Sequence, residues 1–546
     1  MRPHGFRGTY RDDDDARGVY SEAAGIARIL PRAVAVPADE ADVAGLATWA
    51  QATNTPLVPR GAGSSLAGGA IGDGVVVDLS QLRIIGPVDP VTHRIWVGPG
   101  AVRDAVNAAA SAHGLWFPVD PSSGAWATIG GMVATNAAGP HTLRHGAMRR
   151  WVTALDCVFD DGSRATIRRG AELPTQARSV AAIRRFSTHA MSTIFTTAMA
   201  EPIAKIRHAG VRKESSGYAL VDFAKSGDLV DLLVGSEGTL ALIVGVELQL
   251  APRPGGRAAI GAGFHTLEAA VDAATRASAL GAATCELLDR TFLDVVRRSS
   301  ASVSLPTEIE ALLLLDAEAD TQPEADAVAT AISRAFEALG ATGLTVASTP
   351  AAIEAMWEVR HAASPILAAM SDVGVSMQFI EDTAVPPHAM PEYVRGVRAI
   401  LEHHGFPGVI FGHAGDGNVH VNPLVDVRAE NWRGRVESVL DEIVTLTAVL
   451  GGTLAGEHGD GRLRTPFMER VWANDALVLF DLVKRCFDPR GILNPGVKVA
   501  IPGQKPLGDI KYDPSLPPLS AAARRALDEV ALTRGYGAFR LGLLHD

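Results

Sequence analysis

Two glycine-flanked segments hold the residues best suited to chemistry in this chain of 546 residues. The first, VIFGHAGDGNVHVNP, places His413 at the end of one predicted strand and His420 at the start of the next. Between them, Ala414 to Asn418 reads as a tight Gly/Asp/Asn turn. A hairpin of this kind can bring two imidazoles to one point in space. The second segment, GTLAGEHGDGRLR, offers Glu457 and His458 between Gly456 and Gly459. Two histidines and one carboxylate with open positions suit a catalytic Zn²⁺, and also Mn²⁺, Fe²⁺ or Co²⁺. The His413–His420 spacing says little alone, because sixteen histidines make chance spacing easy. The weight lies in the pairing of two such turns.

A third segment has the chemistry of a phosphate cradle. PLVPRGAGSSLAGGAIGDGVVVDLS holds Gly61, Gly63, Gly68 and Gly69, which permit positive φ and close backbone approach. Successive amides in such a loop form a nest for phosphate oxygens. Ser64 and Ser65 add hydroxyls and Arg60 adds charge. Spacing alone leaves a plain Gly-rich connection equally open. It is not the dinucleotide fingerprint, because no G-x-G-x-x-G opens a helix here. DPSSGAWATIGGMVATNAAGPHTLRHGAMRRWV is rich in small residues, as needed where a flat ring lies against backbone. LLVGSEGTLALIVGVELQLAP repeats the pattern of a Gly/Ser turn entering a strand.

The elements that must position these residues fall into regions of different texture. Up to about Pro252, Gly-rich turns separate short β-branched runs such as VVVDLS and RIWVGPG, with a helix from Val102 to His113 capped by Gly114. From Gly256 to Pro423 strands alternate with helices: Arg257 to Phe264, then a helix from Leu267 to Leu280, then Thr284 to Leu288. ALLLLDAEA reads as a strand and ADAVATAISRAFEAL as a helix. This predicts α+β layers with helices on one face of a sheet. Helices follow at Arg433 to Val449 and Asn474 to Phe487. After about Ile501 the chain is rich in Pro and Leu and ends in one weak helix.

Length predicts two or three domains. An apolar share of 47% and a charged share of 20% are those of a globular chain. The formal net charge of −11 argues against nucleic acid as a partner. Cys157, Cys285 and Cys486 lie far apart, which speaks against a disulfide framework or an iron–sulfur cluster and fits a reducing, cytosolic setting. MRPHGFRGTYRDDDDARG lacks the apolar stretch of a secretory signal. The richest apolar run, Ile443 to Gly456, is broken by Gly451 and Gly452, so no transmembrane segment is expected. Docking on a membrane partner stays open.

The three Gly/Ser segments together resemble the FAD-linked oxidases whose FAD domain is shared with vanillyl-alcohol oxidase, from about Tyr20 to Lys498. Within that family the chain is similar to the D-lactate, glycolate and D-2-hydroxyglutarate dehydrogenases. The resemblance implies an α+β fold: a two-subdomain FAD-binding domain over 1–252 and a cap domain with an antiparallel sheet over 253–450. A helical segment over 451–500 would return to the FAD domain, followed by a tail over 501–546. It implies that Arg60, Gly61, Ala62, Gly63, Ser64 and Ser65, with Gly68, hold the FAD pyrophosphate. Pro121, Ser122, Thr128, Gly131, Asn136 and Gly146 would line the rest of the cofactor path, completed by Glu237, Gly238 and Asn494. The pyrophosphate loop has no histidine, so FAD is read as noncovalent.

The same resemblance implies His413, His420 and Glu457 as ligands of a divalent metal, Zn²⁺ first, and His458 as the base. The implied reaction is metal-assisted deprotonation of a D-2-hydroxy acid with hydride transfer to flavin N5. Arg360, in AMWEVRHAAS, would clamp the substrate carboxylate, and Asn422 would hydrogen-bond the substrate. Glu381 and Asp382, in FIEDTAVP, match the family and are read as structural. For Arg462 and Arg464 a solvated face is favoured over a second substrate carboxylate. No cysteine-rich domain follows, so electrons would pass to a separate iron–sulfur subunit, an electron-transfer flavoprotein, a quinone or O₂. Two rival readings rank lower. An alkylglycerone-phosphate synthase would carry a run of histidines, and this chain pairs only His403 and His404. A flavin-carrying subunit without a substrate site would lack the paired histidine turns.

Overall fold

The computed structural model describes residues 2–173, 175–200, 207–298, 308–369 and 374–544. Short β-branched runs build a four-stranded sheet in the order Thr9–Arg11, Ala33–Val36, Val75–Asp78, Leu57–Arg60. Its last three strands are parallel. Parallel neighbours need a crossover, and the helix Glu40–Thr53 is part of it, capped by Asp39 accepting from the amides of Ala41 and Asp42. The Leu57–Arg60 strand runs directly into the glycine-rich loop, so the loop hangs from the edge of this sheet.

A second, five-stranded antiparallel sheet runs Ile85–Asp89, Arg94–Val97, Leu242–Gln249, Val152–Val158, Arg164–Arg168. Its core takes in the helix Asn474–Phe487, whose Leu479, Phe480, Val483 and Phe487 pack with Phe159, Phe186 and Phe223. The chain thus returns to this core after building the next one.

The third sheet has eight strands, with Ala311–Ala319 at its middle between Gly256–Phe264 and Ala282–Asp289. The latter pairs with Gly408–His413, which pairs in turn with Asn418–Val425. Helices Leu267–Ala277 and Gln322–Glu337 cover one face, meeting Leu313, Leu315 and Ala317. The expectation of helices on one face alone is corrected here. Leu312 and Leu314 point the other way, into a cluster with Phe292, Leu293 and Val296 of the helix Arg290–Arg298. A run of consecutive leucines is the mark of a strand buried on both faces.

The tail is ordered into the first core. Ala523, Ala526 and Leu527 of the helix Ala521–Thr533 pack with Ala16, Val19 and Tyr20. Among the described residues, no helix is long and apolar enough to cross a membrane.

The 139–146 segment ties the second sheet's domain to the third sheet. Arg144 donates to the Glu318 carbonyl at 2.7 Å, and His145 Nε2 lies 2.8 Å from the Glu318 carboxylate. His141 reaches the same carboxylate at 3.1 Å and donates from its other nitrogen to Asp120. Burial opposes a charge on His141, yet Asp120 and Glu318 outweigh it and push its pKa up to about 10. A raised folded-state value stabilises fully below the unfolded imidazole's value of roughly 6.5. That stability decays above it and is gone once the pH passes about 10. The melting temperature of the parent protein should therefore fall between pH 7 and pH 10 by more than that of His141→Gln. Parallel curves across that range would show that His141 carries no such charge.

Candidate functional site

The hairpin puts its chemistry on one sheet face. His413 is registered opposite Asn418, Phe411 opposite His420, and Val409 opposite Asn422. Side chains alternate along a strand, so Phe411, His413, His420 and Asn422 share a face, joined by Glu286 directly across from His413. His413 donates from Nδ1 to the Glu286 carboxylate, and His420 donates from Nδ1 to the Glu381 carbonyl at 2.6 Å. Both rings therefore present Nε2, lying 3.2 Å and 3.3 Å from Glu457 Oε1. One ligand atom from each of the three residues lies within 4.8 Å of the others. The carboxylate–histidine pairing of His413 is the usual support of a metal-ligating imidazole.

The segment bearing Glu457 and His458 is held by its backbone. Asp382 accepts from the amides of Glu457 and His458, at 3.0 Å and 2.7 Å. Glu237 accepts from the amides of Asp460 and Gly461, at 2.9 Å and 3.1 Å. Ser215 Oγ takes the Gly459 amide between them. Gly461 has φ +52° and a Cβ there would lie 2.0 Å from the Ala67 carbonyl, so the segment is pressed against the glycine-rich loop. One stretch of backbone thus couples the histidine site to the phosphate cradle. Asp382 thus anchors the backbone of the segment that carries Glu457 and His458.

Arg462 and Arg464 need correction. Neither lies on a solvated face, and neither is free for a second substrate carboxylate. Arg464 is buried in ion pairs with Glu381 and Asp382. Arg462 donates to Asn494 Oδ1 at 2.8 Å and to the Pro495 carbonyl at 3.0 Å. The carboxylates and carbonyls of a folded-back segment are invisible in a local window, so a polar run reads as surface.

His458 is the most open member, with its side chain 31% exposed against 5% for His413 and 7% for His420. Its Nδ1 donates to Glu381, and its Nε2 lies 3.4 Å from Glu457 Oε1, facing the proposed metal ligands. Burial opposes charge on this ring, but Glu381 and Asp382 hold its pKa well above the ordinary imidazole value. Positive charge bound beside it would oppose that protonation. Arg360 uses Nε on Glu286, at 3.0 Å, so the Nη1/Nη2 fork is not spent in that bond. Its guanidinium lies 4.3 Å from the Phe411 ring centre.

Two participants were missed in the sequence. Lys213 is buried, with Nζ 2.6 Å from Glu457 Oε2. Glu286 joins His413 to Arg360. Burial raises Glu286, but His413 and Arg360 more than reverse this and bring it down to about 2. Lys213 sits in VRKESSGY, which reads as an ordinary polar turn. Glu286 and Asp289 are the two acids of the buried strand Ala282–Asp289, and a charge inside a buried strand was the available signal.

A cavity of about 2020 Å³ runs from the glycine-rich loop to this site. Arg60, Gly61, Ala62, Gly63, Ser64, Ser65, Pro121, Ser122, Thr128, Gly131, Glu237 and Gly238 line it, with Arg360, His413, His420, Asn422, Glu457 and His458 at the other end. Gly68, Asn136, Gly146 and Asn494 are not on its wall. Asn136 ends the helix Ile129–Thr135 with positive φ, and its carboxamide accepts from the Arg149 amide. Asn494 donates to the carbonyls of Gly69 and Glu237, bracing the wall from behind.

Two family models match the chain. An FAD binding domain covers residues 31–168, and an FAD linked oxidases C-terminal domain covers residues 253–497. The chain belongs to the FAD-linked oxidases. This FAD-linked oxidase is 28% identical to the glycolate oxidase subunit GlcD of Bacillus subtilis, over 91% of this chain and 95% of that one. It is 29% identical to a D-lactate dehydrogenase of Archaeoglobus fulgidus, over 86% and 92%. A D-2-hydroxyglutarate dehydrogenase of Pseudomonas putida is 28% identical over 92% of this chain, which spans 51% of that protein. An alkyldihydroxyacetonephosphate synthase structure superposes with a TM-score of 0.59 at 16% identity, over 89% of this chain and 82% of that one, a likeness of fold alone. His403 and His404 are not on the cavity wall, and His404 pairs with Glu442.

The cavity's own atoms fit FAD. Among the described residues, Arg60 Nε, Ser65 Oγ and Thr128 Oγ1 are buried without a hydrogen-bond partner, and all three residues line it. Buried polar groups are nearly always satisfied, and these three suit the phosphate or ribose oxygens of FAD. The donor set of His413, His420 and Glu457 fits a divalent metal, since two imidazole nitrogens and a carboxylate oxygen converge.

Proposed function

We propose that this FAD-linked oxidase oxidises a small D-2-hydroxy acid, such as D-lactate, glycolate or D-2-hydroxyglutarate, to the 2-oxo acid. The observation that carries this is one cavity joining the glycine-rich loop to convergent imidazoles, a carboxylate and an arginine fork. FAD, when bound, supplies the two-electron acceptor for the C2 hydrogen. A divalent metal held by His413, His420 and Glu457 supplies a lowered hydroxyl pKa.

The chain's residues do the rest. Arg360, which lines the cavity, takes the substrate carboxylate through Nη1 and Nη2, and Asn422, also on the wall, takes a substrate oxygen. His458 accepts the hydroxyl proton at Nε2, because Glu381 occupies Nδ1 and fixes the tautomer. Glu381 then stabilises the imidazolium that results. Lys213 and His413 hold Glu457 well below the usual carboxylate range against burial, keeping it an anionic ligand. Asp382 and Glu237 keep the catalytic segment in register with both halves of the cavity. The protein is cytosolic in this reading and passes electrons to a separate acceptor, an iron–sulfur subunit, an electron-transfer flavoprotein or a quinone.

Anaerobic mixing with D- and L-2-hydroxy acids tests this. Bleaching of the flavin by D-acids or glycolate is expected; no bleaching across the panel would overturn the reading. The pyrophosphate loop lacks a histidine, so acid precipitation should release the flavin into the supernatant. Yellow colour retained by the pellet would contradict noncovalent binding.

A further inference from the structure

The segment after Ala500 lies outside both family matches, which end at residue 497, yet it walls the cavity. Lys511, Tyr512, Arg524, Leu527, Tyr536 and Arg540 line it, alongside Glu22 to Ala24 and the loop from Arg60 to Ser65. The segment touches two stretches of the cavity wall. Its helix packs on the first sheet's domain through Ala523 and Leu527, next to Val58 and Tyr20. Beyond the helix, Gly537 abuts Trp126, and a Cβ there would lie 3.4 Å from the Trp126 Cα. Trp126 belongs to the 121–131 stretch, which also lines the cavity and meets the glycine-rich loop where Thr128 abuts Gly61.

The charges on this segment are unbalanced. Arg540 is only 3% exposed, and its Nε and Nη1 have no hydrogen-bond partner among the described residues. Arg60, 2% exposed, likewise leaves Nε unpartnered, while its Nη2 donates to the Glu22 carbonyl at 3.0 Å. Burial and the nearby Arg60 depress the Arg540 guanidinium to about 10, and Lys511 is depressed to about 8 chiefly by burial. The acids that face this group are Asp78, hydrogen-bonded to Tyr20, and Glu22, paired with Arg28 and Arg524. Two buried guanidiniums that repel each other, with Nε of both and Nη1 of Arg540 unpartnered among the described residues, are costly unless an anion joins them.

We propose that the segment after Ala500 completes the cofactor site, with Arg540 and Arg60 together receiving the diphosphate of FAD. This rests on the FAD reading above. The tail is then a clasp: it closes over the dinucleotide and carries one of the charges that recognises it. A free phosphate could meet the same arginines, so the ligands tested must separate the two. A charge-assisted hydrogen bond contributes roughly 1.5–3 kcal/mol, or about 10- to 100-fold in affinity.

Apoprotein of the parent and of Arg540→Met should be titrated with FAD, with riboflavin and with inorganic pyrophosphate, following flavin fluorescence or thermal shift. FAD should bind the variant about 10- to 100-fold more weakly. Riboflavin, which lacks the diphosphate, should bind both alike. Arg540→Lys, which keeps the charge, should fall between. The bare variant should melt no lower than the bare parent, because the lost guanidinium has no hydrogen-bond or ion-pair partner among the described residues, and Met keeps an apolar contact with the Tyr536 ring. Equal FAD affinity in parent and variant would overturn the proposal. So would an equal loss for riboflavin, or a bare variant that melts lower or fails to fold, because each marks a structural role. Tightening by pyrophosphate without tightening by FAD would make this a phosphate site unrelated to the cofactor, which also overturns it. Parent protein that binds no FAD at all would instead sink the cofactor reading on which the proposal stands.

Discussion

His413→Ala should leave the protein yellow, strip its divalent metal and abolish flavin reduction by substrate. His413 supplies one of the convergent Nε2 atoms, and the cavity wall at the glycine-rich loop is built from residues far from it in the chain. Loss of Lewis-acid stabilisation removes several kcal/mol, on the order of 10³-fold or more in rate. Glu286 loses its imidazole partner in this variant but keeps Arg360, so the sheet should hold. Elemental analysis and anaerobic stopped-flow read the two effects separately. A chelated parent protein should behave in the same way. Reduction at the parent rate by a sample shown to be metal-free would refute the metal's role.

His458→Asn should keep the metal and slow flavin reduction by on the order of 10²–10⁴-fold, the usual contribution of a positioned general base. Its neighbour should fail differently. Glu457→Gln removes the anionic ligand and leaves Lys213 Nζ facing a neutral amide, so metal retention should fall first. The two assignments rest on exposure and partners. Glu457 is buried among His413, His420 and Lys213, whereas His458 is partly open to the cavity. If His458→Asn lost metal and Glu457→Gln lost only rate, the roles would be exchanged. Parent-rate reduction by both variants would remove the GEHG segment from the active site.

Much of this site was legible because its signals are local. A Gly/Asp/Asn turn between two β-branched runs sets a hairpin, and a hairpin sets the register that places His413 and His420 on one face. The glycines after Arg60, the strand ALLLLDAEA and the helix Asn474–Phe487 are likewise written in composition and period. The alternation of strands and helices was enough to place an α+β layer between Gly256 and Pro423, though not to see that its middle strand is covered on both faces.

What the sequence determined by itself was the set of reactive types and the turns that expose them. Which of them meet was decided by the tertiary structure. Glu286 comes 127 residues before the histidine it orients, and Glu237 lies 223 residues before the amide it holds. Lys213, Arg464 and Arg540 look like any surface cation in a window of ten residues. Each is buried because a distant segment closes over it, supplying carboxylates to the first two and leaving the third with no ion pair among the described residues. A charge's environment is the sum of what surrounds it in space, and at these separations the chain's local pattern carries no term for it.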